Sequence, residues 1–170
     1  MIETLSFAGV TYPSDGAKAY WGYHASPTTL TPPFGTEFTI YTGVANSDDS
    51  RNSVNSSGSG TTGYLLFTFP LRGRAANELV VTWEGYGKRS TSYYARLYGW
   101  HASGAWVQLA SHTDSTDLTV VWRTNAVADY CAGGILSLMT LGPAYSSGFN
   151  GTIYIDFIMA RLYSPEAFII

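Results

Sequence analysis

The sequence is poor in charge. Only 12% of its 170 residues are Asp, Glu, Lys or Arg, which is about half the share usual in globular domains. Nine Lys plus Arg against twelve Asp plus Glu give a net charge of −3. No basic stripe is present to neutralise the phosphates of a nucleic acid. We therefore predict that the protein has no nucleic-acid partner.

Cysteine and long apolar runs are also scarce. The single cysteine, Cys131, excludes an internal disulfide and is expected to pack as a small apolar residue. No stretch approaches the roughly 20 apolar residues that cross a bilayer. Residues 1–10 lack the basic region and apolar run of a secretory signal. We predict that the protein does not span a membrane and that it lies outside the cell or on a virion surface. Either a leader has been removed, or the protein leaves its cell by a route that needs none.

Recognisable catalytic patterns are missing as well. There is no Gly-x-Ser-x-Gly elbow, no His-Glu-x-x-His pair and no phosphate-cradling Gly-Lys loop. The pair Asp48–Asp49 and the spaced pair Asp114 and Asp117 could supply two carboxylates for glycoside hydrolysis. Both pairs fall in Ser/Thr-rich turns, where Asp commonly bonds its own backbone. We predict that the protein is not an enzyme, with a small glycoside hydrolase as the distant alternative.

Strand signals fill the chain instead. It is 45% hydrophobic and 15% aromatic, and its short β-branched and aromatic runs are separated by turn residues, as in a sandwich or barrel. The Pro-rich segment 27–35 predicts a connection. The polar segment of about 45–63 predicts a long surface loop with one short strand. One helical turn is expected within 124–131, capped by Asn125. Strands are predicted over 2–7, 19–23, 37–42, 64–69, 78–84, 94–100, 106–110, 118–122, 135–141 and 153–163.

The order of the motifs after residue 64 resembles a galactose-binding-like jelly roll, the β-sandwich of many carbohydrate-binding and discoidin-type modules. The motifs are a strand with Trp83, a hairpin with Trp100 and Trp106 in its two arms, a helical turn before Asp129–Tyr130, and a closing strand with Asp156. The resemblance covers about residues 64–163 and implies an antiparallel jelly-roll sandwich that binds ligands through loops at one end. The strand pattern and a length that suits one domain predict a single all-β domain over 1–170.

The resemblance also suggests a metal. Many relatives hold a structural calcium with a ligand on the closing strand, and Asp156 occupies a similar place between Ile155 and Phe157. A simple hydrogen bond in the core explains a buried Asp equally well. No other cofactor is predicted. The histidines His24, His101 and His112 fall in separate turn regions, where surface positions are more common than a shared metal site.

The aromatic residues give the strongest indication of a binding surface. Five Trp and thirteen Tyr exceed what a core of this size must bury, and an aromatic ring with a polar rim can stack on a sugar or anchor a protein. Trp83 is predicted in the core. For the hairpin pair, packing across the strands is an equal alternative. The candidate ligand or interface residues are Trp21, Tyr23, Tyr86, Trp100, Trp106 and Tyr145.

The tail 164–170 ends in three large apolar residues, Phe168, Ile169 and Ile170. We expect them to dock on a neighbouring copy or another assembly subunit, with docking on the same domain as the alternative. The sequence therefore predicts a non-enzymatic surface or structural protein, a decorating or adhesive component of an extracellular assembly such as a phage virion. The alternative is a carbohydrate-binding module that holds glycans with its loop aromatics.

Overall fold

The computed structural model describes residues 2–7, 16–39, 41–45, 51–71, 76–146 and 148–164, without the side chains of Thr42 and Ala132. Within these residues twelve strands form two six-stranded sheets, and every strand pair is antiparallel. The predicted all-β, antiparallel jelly-roll sandwich is confirmed. Among the described residues no helix is both long and apolar enough to cross a membrane.

The first sheet has the strand order β1-β12-β6-β10, with β4 beside β12 and β7 beside β6. Its strands are β1 (Ile2–Ser6), β4 (Asn52–Asn55), β6 (Glu78–Arg89), β7 (Ser92–Tyr93), β10 (Leu118–Thr124) and β12 (Thr152–Tyr163). The second sheet has the order β3-β2-β5-β11-β8-β9. Its strands are β2 (Lys18–His24), β3 (Thr36–Glu37), β5 (Thr62–Pro70), β8 (Ala95–His101), β9 (Ala105–His112) and β11 (Ile135–Ala144).

The core lies between the sheets because side chains alternate across each strand. In β6, Leu79, Val81 and Trp83 point inward and are fully buried. They meet the apolar side chains of β5 and β12, such as Phe67 and Ile158. Burying a side chain of this size contributes about 1.5–3 kcal/mol. The predicted core position of Trp83 is confirmed.

Two local predictions are wrong. The strand expected over 37–42 is reduced to Thr36–Glu37, and a 3₁₀ turn follows at Thr42–Val44. The chain turns inward there because Tyr41 is buried, with its ring stacked on Phe7 at 5.2 Å. The helical turn exists as α1 (Val127–Tyr130), but Ala126 takes the cap position and no side chain caps it. Asn125 is therefore not the cap.

A second apolar cluster covers the outer face of the second sheet. Its buried members are Tyr64, Leu66, Tyr98, Trp106, Met139 and Leu141. Residues 26–35, here called the strap, contribute to this cluster. Phe34 packs edge-on against the rings of Tyr64 and Trp106, and Trp106 Nε1 donates a hydrogen bond of 2.8 Å to the Leu30 carbonyl. The Pro-rich connection predicted over 27–35 is thus part of the packing.

Candidate binding cleft

An open cleft of ≈ 440 Å³ lies where β2 of the second sheet faces β4 of the first. It joins two exposed aromatic rings to a set of small polar side chains. Its lining residues are Trp21, Tyr23, Ser53, Val54, Asn55, Ser56, Ser57, Gly58 and Asn150. A concave site that combines apolar rings with a few polar groups is the usual form of a small-ligand site.

The aromatic wall follows from the register of β2. Ala19, Trp21 and Tyr23 alternate along the strand and therefore share its inward face. Ala19 is fully buried in the core, whereas Trp21 is 38% exposed and Tyr23 is 49% exposed. The two rings start about 6.6 Å apart along the strand, at a rise of about 3.3 Å per residue. The face of β2 that is buried at Ala19 is therefore exposed to solvent at Trp21 and Tyr23, and their two rings form an aromatic platform.

The polar wall is held by hydrogen bonds between distant parts of the chain. Ser56 N–H donates to the Gly151 carbonyl at 2.7 Å, and Gly151 N–H donates back to Ser56 Oγ at 2.8 Å. Thr152 Oγ1 donates to Asn55 Oδ1 at 2.6 Å. These bonds fix the end of β4 against the start of β12. Asn150 is positioned by this clamp because it precedes Gly151 directly.

Close backbone packing brings β4 to the second sheet. A Cβ added to Gly63 of β5 would lie 2.7 Å from the Val54 carbonyl oxygen, closer than real Cβ atoms approach. Only glycine therefore lets β5 pass so near to β4. Since Gly63 also pairs with Tyr23, this contact sets the width of the cleft.

The cleft is uncharged. None of its nine lining residues is Asp, Glu, Lys, Arg or His. Its polar groups are Ser hydroxyls, Asn amides and the Tyr23 hydroxyl, which can donate and accept hydrogen bonds. A charged ligand would lose its hydration here without gaining a charge partner from the lining. The lining therefore suits a neutral ligand rich in hydroxyl groups.

The other predicted aromatics lie away from the cleft. Tyr86 is half-buried, with its ring stacked on Tyr154 at 4.5 Å. Burial, more than the nearby charges, raises the pKa of Tyr86. Tyr145 is half-buried, and its N–H donates to the Thr61 carbonyl. Neither of the two residues lines the cleft.

For the hairpin pair the structure shows the alternative of packing across the strands. Trp106 is only 8% exposed, and Trp100 lies directly opposite it, with the rings edge-on at 5.2 Å. The strap covers Trp106 because its indole N–H bonds the Leu30 carbonyl. Trp106 is therefore a packing residue of the outer cluster and no exposed loop aromatic.

Several predicted residues lie outside those described. Phe168, Ile169 and Ile170 of the apolar tail belong to this group, as does the pair Asp48–Asp49. Of the other acidic pair, Asp117 forms an ion pair with Arg51, and Asp114 lies 3.6 Å from the His112 ring.

Asp156 is buried, at 1% exposure, where the β12–β6 register shifts between Ile155 and Phe157. Among the described residues no group of three or more His, Cys, Asp or Glu could hold a metal ion. Calcium at Asp156 stays a prediction.

The sequence reasoning missed the burial of His112. This side chain ends β9 and packs its ring 5.2 Å from that of Trp83. Burial lowers the pKa of His112, outweighing the opposite effects of Asp114 and the Gly85 carbonyl. His112 is therefore mainly neutral in the folded protein near pH 7. His112 lies beside a run of Ser, Thr and Asp in the sequence, and these polar neighbours do not indicate a buried side chain.

These features define an antiparallel β-sandwich that carries an open, uncharged aromatic cleft. The family model AF_1625_C, described as "Uncharacterized protein, C-terminal domain", matches residues 17–163. The chain belongs to this family. Comparison with curated protein sequences gives no match.

Solved structures of several kinds are similar at low identity. A CBM28 carbohydrate-binding module specific for non-crystalline cellulose is 13% identical, covering 94% of this chain and 92% of its own, with a TM-score of 0.41. The K1 cleaved adhesin domain of Lys-gingipain from Porphyromonas gingivalis W83 is 13% identical over 97% and 99%, with a TM-score of 0.43. The cyclase Fisc from Fischerella sp. TAU is 11% identical over 98% and 100%, with a TM-score of 0.40. Likenesses this weak decide neither activity nor ligand.

Proposed function

We propose that this protein is a non-catalytic binding module that holds a neutral carbohydrate in the cleft of Trp21 and Tyr23. The observation that carries the proposal is the pairing of two exposed rings on one strand with an uncharged polar wall. Of the functions considered, the carbohydrate-binding alternative fits this geometry best.

The chemistry of a sugar matches both walls. A pyranose ring has faces of C–H groups, which pack on an aromatic ring and remove apolar surface from water. Its edge carries hydroxyl groups, which need partners once water is displaced. Trp21 and Tyr23 supply the stacking surface, and the Ser and Asn side chains supply hydrogen-bond donors and acceptors.

Two rings on alternate positions of one strand favour contact with more than one sugar unit. We therefore expect affinity to rise from a monosaccharide to a short oligosaccharide of the same composition, until the platform is filled.

The direct test is binding to a glycan array of neutral and charged oligosaccharides, followed by calorimetric titration with the best ligand. We expect neutral glycans to bind and Trp21→Ala to weaken the binding about 10- to 30-fold, because loss of a central aromatic anchor costs about 1.4–2 kcal/mol. Tyr23→Ala is expected to act in the same direction.

Ile135→Ala is the matched control. Ile135 is 48% exposed, comparable to Tyr23, but it pairs with Pro70 at the opposite end of β5 from the cleft. Its replacement should leave the affinity unchanged. Absence of any glycan ligand for the wild-type protein, or equal losses in the cleft variants and the control, would contradict the proposal.

The assembly role stays a prediction beside this proposal. Its support in the sequence includes the low charge and the apolar tail Phe168–Ile170, and this tail lies outside the described residues. A decorating component of a phage particle could also bind glycans, so the two roles are compatible. An extracellular or virion-surface location is likewise expected, because polymeric glycans are met there.

A further inference from the structure

Asn150 and Gly151 form the one Asn-Gly dipeptide of the sequence. Asn150 is exposed and lines the cleft, whereas Gly151 is buried directly before β12. The backbone nitrogen that follows an Asn can attack the side-chain amide of that Asn. The attack is least hindered when the following residue is Gly, because Gly has no Cβ. This dipeptide is therefore the position of the chain at which such a reaction meets the least steric resistance.

The packing requires glycine at position 151. A Cβ added to Gly151 would overlap the carbonyl oxygen of Pro143 in β11. The connection from β11 to β12 can close here only because no side chain stands between the two backbones. Since Asn150 belongs to the cleft wall and Gly151 to this close contact, the fold itself places the reactive pair at the cleft.

Ser56 restrains the backbone nitrogen that would attack. Its Oγ accepts a hydrogen bond of 2.8 Å from Gly151 N–H, and its own N–H donates to the Gly151 carbonyl at 2.7 Å. Ser56 is 1% exposed, so water does not reach this clamp while it is closed. The nitrogen must lose its proton and turn toward the Asn150 side chain before it can attack. Both steps require the clamp to open locally.

We propose that Asn150 is a site of spontaneous deamidation and that the Ser56 clamp sets the rate of the reaction. The Gly151 nitrogen forms a bond to Asn150 Cγ, the bond from Cγ to Nδ2 breaks, and ammonia leaves with the proton of the Gly151 N–H. The product is a cyclic imide. Water then opens the imide at one of its two carbonyl carbons, which gives either an aspartate or an isoaspartate at this position. No oxidant or reductant takes part.

The modification would change the charge of the cleft. None of the lining residues is Asp, Glu, Lys, Arg or His, and the carboxyl group of the product is ionised at neutral pH. An amide that donates and accepts hydrogen bonds becomes a carboxylate that only accepts them. A neutral ligand held by the Asn150 amide would lose this donor. This consequence rests on the proposed function, whereas the reaction does not depend on what the cleft binds.

Peptide mass spectrometry of protein aged at neutral pH tests the proposal, because the reaction replaces an NH₂ group by OH and raises the peptide mass accordingly. Asn150 should react slowly in the folded protein and faster in the chain unfolded in urea. Ser56→Ala should raise the rate in the folded protein about tenfold, because the clamp then opens more easily by the free energy of one hydrogen bond. Asn125 is the internal control. It is exposed as well but precedes Ala126, so it should react far more slowly.

Trp106→Phe controls for a general loss of stability. It removes the hydrogen bond from the indole N–H to the Leu30 carbonyl and leaves the clamp in place, so the rate at Asn150 should equal that of the wild type. Circular dichroism checks that each variant stays folded during ageing. Equal rates in the wild type and Ser56→Ala, equal rates in the folded and unfolded chain, or an equal rise in Trp106→Phe would overturn the proposal.

Asn150→Asp tests the consequence for binding. In the calorimetric titration this variant should bind the neutral glycan less tightly than the wild type does, as should aged protein that ion exchange has enriched in the modified form. If the wild type bound a glycan and Asn150→Asp bound it equally well, the consequence for the cleft would be overturned. If the wild type bound no glycan, the proposed function would fail, and the rates at Asn150 would still decide the modification.

Discussion

The clamp between Ser56 and Gly151 gives a quantitative test of how the cleft is built. Ser56 is 1% exposed, and its Oγ accepts a hydrogen bond of 2.8 Å from Gly151 N–H. Ser56→Ala removes this acceptor and leaves a buried N–H without its partner. Such a loss costs about 1–3 kcal/mol, which is a large part of a total stability of about 5–15 kcal/mol.

The assay is urea unfolding followed by tryptophan fluorescence. The midpoint should fall while the slope with urea stays constant, because the surface exposed on unfolding does not change. The thermal midpoint should fall by about 2–4 °C per kcal/mol lost in a protein of this size. Glycan affinity should also fall, since Asn150 loses its anchor next to Gly151.

Ser57→Ala is the control for this prediction. Ser57 also lines the cleft but is exposed, so its replacement should change stability by less than about 0.5 kcal/mol. If Ser56→Ala unfolded at the same urea concentration as Ser57→Ala, the clamp would not stabilise the fold and the reasoning would be refuted.

Three further predictions test the packing and the titrating groups. Trp106→Phe removes the N–H that binds the Leu30 carbonyl and should cost about 1 kcal/mol in the same urea assay; an unchanged midpoint would show that the strap does not need this bond. Burial lowers the folded-state pKa of His112 below 6.5, so the unfolded chain binds the extra proton first and stability should fall as pH drops below about 6.5. His112→Gln should flatten that pH dependence and His24→Gln should not. Burial raises the pKa of the Cys131 thiol to about 11, so alkylation at pH 8 should be slow in the native protein and fast in urea, as thiol titration can measure.

The strand pattern could be predicted from sequence where neighbours along the chain decide it. The hairpin of β8 and β9 is an example, because Tyr98, Trp100 and Trp106 flank a turn at residues 101–104. The strand expected over 37–42 was wrong because Tyr41 is drawn into the core by Phe7, a residue 34 positions earlier. Local alternation contains no information about such a partner.

The candidate site was predicted only in part, for the same reason. Trp21 and Tyr23 were identified because aromatic residues in an alternating strand stand out. Ser53–Ser57 were assigned to a polar loop, since their composition is that of a linker. Their role depends on pairing with β12, about a hundred residues later. For Trp106 the sequence left packing and ligand binding as equal alternatives, because nothing nearby indicates that the strap covers it.

The side chains on the two faces of strand β2 have different roles. Tyr20 and Gly22 face the outer cluster beneath the strap, whereas Trp21 and Tyr23 face the cleft. Since the rings in the cleft are solvent-exposed and the fold is anchored by the opposite row, substitutions at positions 21 and 23 cost little stability. Under the proposed function, changing these two side chains would alter what the cleft holds while the architecture remains constant.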